Sequence, residues 1–201
     1  MKRSRPCIRG VTVAAALLAP LAANAHLVST GLGPFYDGLS HFLLSPEDVL
    51  PALALALLVG LNGAAIGRVA LFALSAAWCA GGLVGVAWPT IDSGSALTIL
   101  SFLALGGMAA ADTRLQPGGA IALAVVVGLL YGYENGSAMA EARLGLLGLA
   151  GVVSTLFVTV ALTAALVVAL RAPWARVAVR VAGSWIAAAG LLMWGWSLHA
   201  T

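Results

Sequence analysis

Residues 33–48 of this chain read Gly-Pro-Phe-Tyr-Asp-Gly-Leu-Ser-His-Phe-Leu-Leu-Ser-Pro-Glu-Asp, and a long apolar run begins at Val49. The stretch holds three carboxylates and a histidine, although charged residues make up only 8% of the chain. Part of it is typical of a helix start, since Ser45 suits the N-cap, Pro46 the first helical position, and acids the positive end of the helix dipole. Alternatively, these polar groups capture a cation at the edge of a membrane span.

Composition and segment length indicate an integral membrane protein. Hydrophobic residues make up 62% of the chain, against about 45–50% in soluble domains, and a helix needs about 20 apolar residues to cross a bilayer. The sequence predicts an all-α bundle of six transmembrane helices without a separate soluble domain. Its six apolar segments cover 49–66, 69–88, 95–111, 119–135, 145–170 and 177–197.

The first 25 residues are typical of a secretory signal peptide. A basic start precedes a short apolar core over 11–18, and Ala23-Asn24-Ala25 places small residues where a signal peptidase inspects them. We therefore expect a mature chain over 26–201 that begins at His26, with 26–48 as a periplasmic or interfacial segment. An uncleaved anchor helix is the alternative.

Cleavage of the leader would change the charge of the protein. The full chain has ten Lys and Arg against seven Asp and Glu. Four of the basic residues lie in the leader, so the mature chain would carry a net charge of −1. The basic charge of the full chain therefore does not indicate nucleic-acid binding. Removal of Cys7 would leave Cys79 as the only cysteine, which excludes an intrachain disulfide and a thiolate metal cluster.

The arginines of the mature chain predict its topology. With His26 outside, the five joints between segments alternate between inside and outside, beginning inside. Arg143 alone then lies outside, as the positive-inside rule requires. The cytoplasmic arginines are Arg68, Arg114, Arg171, Arg176 and Arg180. We therefore expect a multi-pass protein of the bacterial inner membrane with both mature termini in the periplasm.

Small residues predict close packing between the helices. Gly128, Gly132 and Gly136 recur every four positions, as do Gly63 and Gly67. Helices in lipid gain little from hydrophobic contact, so they associate where small residues let their backbones approach closely. We expect these glycines to face neighbouring helices.

Asp37 and His41 form the core of a candidate metal site on the predicted outer side. They are four residues apart, so on a short interfacial helix over 35–44 they share one face. A carboxylate beside an imidazole orients the ring and raises its basicity. With Glu47 and Asp48 they make a candidate cation-capture site. An ordinary structural Asp–His contact is the alternative.

A second polar cluster, Tyr131-Gly132-Tyr133-Glu134-Asn135-Gly136, ends the fourth segment. Ionisable groups at membrane depth are costly and usually face a bundle interior. The predicted topology puts Glu134 on the same side as His41, so we add Glu134 to the candidate metal ligands. An interfacial tyrosine belt with a solvated Glu134 is the alternative.

Other polar residues extend this candidate site. Thr155, Thr159 and Thr163 recur every four positions, and such threonines either line a polar path or bond their own i−4 carbonyls. The α-amine and imidazole of His26 would together chelate a divalent ion. The candidate path or supporting residues are Tyr131, Asn135, Thr159, Thr163 and His26. No carboxylate or histidine lies near the middle of a segment, which argues against a mid-membrane proton relay.

This order of features resembles the HupE/UreJ family of small membrane proteins. The family motif His-Pro-x-x-Gly-x-Asp-His lies at the first span. His41 matches its first histidine, Glu47 stands for its aspartate, and Asp48 stands for its second histidine.

The resemblance continues through the later segments. The family segment Phe-His-Gly-His-Ala-His-Gly aligns with residues 130–136, where both glycines match. The residues in place of its histidines are Tyr131, Tyr133 and Asn135. Thr163 stands where another family histidine falls, and residues 180–183 with 187–192 resemble the last span.

The resemblance implies a substrate and partners. The family is associated with hydrogenase and urease systems and is regarded as nickel or cobalt permeases. The resemblance implies a divalent cation such as Ni²⁺ as substrate and no resident cofactor. It also implies metalloenzyme maturation proteins as partners, besides the lipid bilayer. Nickel suits imidazole nitrogen, whereas oxygen ligands suit harder ions such as Mg²⁺ or Mn²⁺. The replaced histidines therefore predict a divergent branch.

Three functions compete at this point. The first is a divalent-cation permease, and the second is a non-transporting accessory or assembly protein that has lost its metal site. An intramembrane serine protease needs a serine and a histidine buried together, whereas Ser93 and Ser95 lie in a joint and His41 and His199 at edges. We therefore expect no enzyme. The sequence has no Walker motif, but a potential of about −100 mV favours divalent entry by about 4–5 kcal/mol.

Overall fold

The computed structural model describes residues 29–89, 94–170 and 172–199. All regular secondary structure in these ranges is α-helical, which confirms the all-α prediction. The leader predicted over 1–25 and the predicted mature terminus His26 lie outside the described residues. The seven helices are α1 (Pro34–Leu44), α2 (Pro46–Leu61), α3 (Ala64–Ala87), α4 (Gly94–Ala110), α5 (Pro117–Glu141), α6 (Gly145–Ala169) and α7 (Pro173–Ser197).

Helices α2 to α7 follow the six predicted apolar segments in order, but their lengths differ. Four of them, α3, α5, α6 and α7, have 24 or 25 residues and are long and apolar enough to cross a membrane. Helices α1 and α2 pass the same test only as a pair, bent by 72°, and α4 is a shorter apolar helix. The described residues therefore contain four candidate spans, or five with the bent pair, and six full-length spans are not confirmed.

The bend between α1 and α2 lies at Ser45. Pro46 has no backbone N–H, and its ring keeps the preceding residue out of the helical region. Ser45 accordingly has an extended backbone, with φ −98° and ψ 93°. It is the N-cap residue of α2 and Pro46 follows at the start, as the sequence predicts, but the Ser45 side chain makes no capping hydrogen bond. The short helix predicted over 35–44 is present as α1.

Polar contacts define one end of the bundle, which we call the arginine-rich end. Asn62, at the end of α2, donates from Nδ2 to the Thr113 carbonyl at 3.0 Å and accepts from the Leu115 N–H at 2.8 Å. Beside it, Arg176 of α7 donates two hydrogen bonds of 2.6 Å to Asp112. The ends of α2 and α4 thus meet the starts of α5 and α7.

The opposite end is defined by separate contacts. The Tyr133 hydroxyl of α5 donates to the carbonyl of Trp88, directly after α3, at 3.0 Å. Helix α6 begins at this end, because it follows the end of α5, and Gly38 and Gly151 mark the contact of its first turns with α1. The chain therefore reverses direction at each connection from α2 to α7.

Asp112 lies in the connection between α4 and α5, and its partner Arg176 lies in the first turn of α7. Hydrogen bonding to Arg176 lowers the pKa of Asp112 from its ordinary value of 3.8, and Arg114 and Arg180 add to this effect. Because the folded state favours the ionised carboxylate, this stabilisation is present above pH 3.8 and is lost as the pH falls through the lowered pKa. The pair is therefore intact at neutral pH.

Glycines bring α3 and α5 into direct backbone contact. A Cβ added at Gly132 would overlap the Trp78 carbonyl, and one added at Gly136 would overlap the Gly82 carbonyl. At Gly128 it would lie 2.7 Å from the Leu74 carbonyl oxygen. From the other side, a Cβ at Gly85 would overlap the Tyr133 carbonyl. The predicted role of Gly128, Gly132 and Gly136 in packing is confirmed.

Glycines also allow close backbone contact in two other helix pairs. A Cβ at Gly38 of α1 would overlap the Gly148 carbonyl of α6, and one at Gly151 of α6 would overlap the Phe35 carbonyl of α1. In the α4–α7 pair, a Cβ at Gly106 would lie 2.6 Å from the Ala187 nitrogen. Small residues therefore set the spacing in three helix pairs, as expected where burial in lipid supplies little attraction.

Replacing Gly132 with alanine should separate α3 from α5. The added Cβ meets a backbone carbonyl, which cannot move without shifting a whole helix, so we expect Gly132→Ala to destabilise the protein by about 1–3 kcal/mol. Gly107→Ala is the matched control, because no atom lies within 4 Å of a Cβ there and alanine favours a helix by up to about 1 kcal/mol. Thermal unfolding of both variants in detergent tests this. Equal melting temperatures for Gly132→Ala and wild type would contradict the packing account.

Candidate functional site

A buried carboxylate joins three helices near the opposite end of the bundle. Asp48, in the first turn of α2, is 4% exposed. Its Oδ1 accepts a hydrogen bond of 2.9 Å from Asn135 Nδ2 of α5. Its Oδ2 lies 3.9 Å from Nε2 of His41 in α1, which is too long for a hydrogen bond. Asp48, His41 and Asn135 therefore share one polar centre.

Asn135 leaves one of its polar atoms without a partner. The side chain is 2% exposed, and its Nδ2 also donates to the Tyr131 carbonyl at 3.1 Å. Its Oδ1 is buried and makes no hydrogen bond. Buried polar atoms are nearly always hydrogen-bonded, so each exception needs an explanation. An unused amide oxygen beside a buried carboxylate is the kind of group that a cation binds.

Two further acids surround this centre without joining it directly. Glu47 is exposed and Glu134 is half-buried. Both act electrostatically on Asp48, and Glu47 also acts on His41. Within residues 29–89, 94–170 and 172–199, no three His, Cys, Asp or Glu side chains form a group that could hold a metal ion. A complete set of metal ligands would therefore need Asn135, water or a movement of Glu47 and Glu134.

Asp37 does not have the partner that the spacing predicts. Its Oδ1 accepts hydrogen bonds from the Thr30 amide at 2.6 Å and the Thr30 hydroxyl at 2.7 Å. His41 instead faces Asp48 across the bend at Ser45. The expected Asp37–His41 pairing is therefore absent. Asp37 accepts hydrogen bonds from Thr30 instead, and His41 lies beside Asp48. Asp37 ties the segment before α1 to that helix.

Aromatic rings pack on the inner side of the polar centre. Tyr131, one helical turn before Asn135, is buried and stacks on Trp78 with 5.7 Å between ring centroids. Trp78 meets Phe42 edge to face at 6.0 Å. The Tyr131 hydroxyl is hydrogen-bonded to Ser101 of α4. The sequence interpretation missed Phe42, Trp78 and Ser101, and only the position of Phe42 next to His41 could have indicated this role.

The threonines of α6 recur at every turn of that helix. The Thr155 hydroxyl donates to the Gly151 carbonyl at 2.8 Å, so it follows the i−4 bonding alternative. Thr159 and Thr163 are half-buried one and two turns farther toward the arginine-rich end. The structure therefore brings Tyr131 and Asn135 to the site, and places Thr159 and Thr163 farther along the bundle.

A family model described as HupE / UreJ protein matches residues 14–193 of the 201-residue chain. The chain belongs to the HupE/UreJ family. Members are accessory or transport proteins of membranes and are not known as enzymes. No curated protein and no solved structure gives a match.

Several HupE/UreJ motif positions lie at the polar centre. The resemblance assigns family histidines to positions 41, 48 and 135, and these are the positions of His41, Asp48 and Asn135 that meet here. Tyr131, at another such position, lies one turn deeper, whereas Tyr133 bonds the Trp88 carbonyl instead. Motif positions that are distant in sequence thus come together in space.

The Asp48–Asn135 contact should contribute measurably to stability. We expect Asn135→Leu to destabilise the protein by about 1–3 kcal/mol, because the buried Asp48 carboxyl then loses its amide donor. A double variant that adds Asp48→Leu should recover part of this loss, since replacing both partners leaves no unsatisfied group. Thermal unfolding in detergent of the two single variants and the double variant measures the coupling. Strictly additive losses would show that the two side chains do not depend on each other.

Proposed function

We propose that this protein is a divalent-cation permease of the nickel type, with a capture site near the opposite end of the bundle. Asp48, His41 and Asn135 form its centre, and Glu47 and Glu134 attract the ion and complete the ligand set. Asp37 has a supporting role through α1. The observation that carries the proposal is the meeting of a buried carboxylate, an imidazole and an unpartnered amide oxygen on three helices.

The burial of Asp48 supports a cation as the missing partner. An ionised carboxylate away from water is costly unless an opposite charge or several donors balance it. Asp48 receives one amide hydrogen bond, and His41 lies 3.9 Å away. Nitrogen and oxygen ligands bind ions such as Zn²⁺ at about 2.0–2.2 Å, so two ligands of one ion stand up to about 4 Å apart. The gap between His41 and Asp48 therefore suits a shared ion.

The bend between α1 and α2 also supports transport. Spans that are broken at an ion site are a recurring feature of transporters. Irregular backbone is tolerated at membrane depth only inside protein or beside a cavity. Here the bend at Ser45 separates His41 from Asp48 and turns both toward the same point. In a continuous helix, His41 and Asp48 would be held at a fixed separation along one axis.

The aromatic layer of Phe42, Trp78 and Tyr131 would close the site on its inner side. An ion would pass this layer and then follow the half-buried hydroxyls of Thr159 and Thr163 toward the arginine-rich end. The membrane potential supplies about 2.3 kcal/mol per charge per 100 mV, which suffices without a nucleotide. His26, at the predicted mature terminus, would add a chelating group at the entrance.

The direction of transport rests on a proposed orientation in the bacterial inner membrane. Arg68, Arg114, Arg176 and Arg180 belong to the arginine-rich end, which the positive-inside rule assigns to the cytoplasm. After loss of the leader, both termini would then be periplasmic and the capture site would face outward. Helices α2 and α4, with 16 and 17 residues, span about 24–26 Å and would complete six crossings.

Reporter fusions test this orientation. We expect a periplasm-dependent reporter fused after Thr201 to be active, and the same reporter placed after Arg114 to be inactive, because arginines resist translocation. Intact mass of the purified protein should show a chain that begins at His26. A cytoplasm-dependent reporter that is active after Thr201 would overturn the proposed orientation.

Binding and uptake of metal ions test the proposed site. We expect His41→Ala and Glu47→Gln to weaken Ni²⁺ and Mn²⁺ binding by roughly tenfold, and Glu134→Gln to weaken it less. Removing groups that orient or support metal ligands typically costs about 10–100-fold in affinity. Binding should weaken as the pH falls, because protons compete with the ion for carboxylates and imidazole. Equilibrium dialysis of the purified protein gives the affinities, and proteoliposomes with an inside-negative potential give uptake.

Glu141→Gln is the matched control for these variants. Glu141 is an exposed acid at the end of α5, on the same side of the bundle as the site but six residues beyond Asn135. Its replacement changes the same net charge and should leave binding unchanged. If His41→Ala, Glu47→Gln and Glu134→Gln all bind every ion as wild type does, the capture site is wrong. Retained binding without uptake in proteoliposomes would favour the accessory or assembly function, with metalloenzyme maturation proteins as partners.

A further inference from the structure

A groove lies between α3 and α6 at the arginine-rich end of the bundle. It encloses about 430 Å³ and is lined mainly by small and aliphatic side chains. They include Gly67, Leu71, Ala161, Ala165 and Val168. Its volume is within the range of ligand sites, about 300–1,000 Å³. The groove is remote from Asp48 and takes no part in the proposed capture of a cation.

The groove opens toward the lipid-facing surface. Phe72 of α3 and Leu162 and Leu166 of α6 are each more than 60% exposed. Exposed aliphatic and aromatic side chains on long apolar helices face lipid chains in a membrane protein. An occupant that enters from the side therefore comes from the bilayer and must be apolar along most of its length.

Arg68 supplies the single charge of the groove. It is exposed and makes no ion pair or hydrogen bond with any residue that the structure describes. Arg176 and Arg180, by contrast, bond Asp112 and the Ala110 carbonyl. No acidic side chain lines the groove. An occupant that complements this lining is apolar with an anionic group at one end.

We propose that the groove binds an anionic phospholipid, with an acyl chain along the alanine-rich walls and the phosphate on Arg68. A planar guanidinium binds phosphate through paired hydrogen bonds. Basic pockets between helices on the cytoplasmic side of a membrane bind anionic headgroups in this way. The proposal requires only that the arginine-rich end lies at headgroup depth.

A second copy of the chain fits the groove less well. Two copies with the same orientation would bring their arginine-rich ends together. Among the described residues, Asp112 is the acid at that end, and Arg176 already pairs with it. The other described acids are Asp37, Glu47, Asp48, Glu134 and Glu141, all toward the opposite end. A second copy would therefore leave Arg68 without a counter-charge, whereas a phosphate supplies one.

Native mass spectrometry of the full-length protein in detergent tests the proposal with phosphatidylglycerol and phosphatidylcholine as probes. We expect wild type to retain phosphatidylglycerol at least 5-fold more tightly than phosphatidylcholine. Arg68→Gln should reduce that affinity about 5-fold, as expected for one basic residue near an anionic headgroup. Arg114→Gln is the matched control, since Arg114 is also exposed at this end but does not line the groove.

A second pair of variants tests the apolar wall. Ala165 lines the groove and is exposed, so Ala165→Leu should fill space and weaken phosphatidylglycerol binding severalfold without a change in melting temperature. Ala150→Leu, on the exposed surface of the same helix near its other end, should have no effect. The proposal is overturned if both lipids bind equally, or if Arg68→Gln matches Arg114→Gln. Displacement of the lipid by inorganic phosphate, or dimers that Ala165→Leu abolishes, would also overturn it.

Discussion

The close contact of α3 with α5 is the constraint on which the rest of this structure depends. Gly128, Gly132 and Gly136 form one face of α5, and each approaches the backbone of α3. Tyr131 and Asn135 each precede one of these glycines, so they lie about 100° around the helix, on the neighbouring face. Because the glycines hold α5 against α3, this neighbouring face is directed at α2. The close contact between α3 and α5 that packs the bundle therefore also brings Asn135 next to Asp48.

The bend at Ser45 has the complementary effect on the other side of the site. Pro46 prevents α1 from continuing into α2, and Gly38 seats α1 against α6. His41 at the end of α1 and Asp48 at the start of α2 thereby approach each other to 3.9 Å. A buried carboxylate and an unsatisfied amide oxygen reduce stability. Binding of an ion at the proposed capture site would offset that cost, so the proposal links ion capture to stability.

The sequence predicted much of the fold and less of the site. Apolar segments placed α2 to α7, the short α1 and the helix start at Pro46, and the glycine pattern identified the α3–α5 contact. Composition could not show that α4 is short or that α1 and α2 are bent by 72°. The spacing of Asp37 and His41 also predicted a pairing that the structure does not show. Asp37 accepts its hydrogen bonds from Thr30, which lies in a segment without a periodic pattern.

The sequence by itself determined that the chain is a helical membrane protein, the order of its apolar helices, and which polar residues are scarce enough to need an explanation. These properties follow from local composition and from backbone chemistry at proline and glycine. Only the tertiary structure decided that Asp48, rather than Asp37, faces His41 and that Asn135 completes the centre. The physical reason is that contacts between side chains of α1, α2 and α5 depend on how each helix is rotated about its axis and how far it is shifted along it. Contacts between backbones set both, and residues far apart in the chain make those contacts.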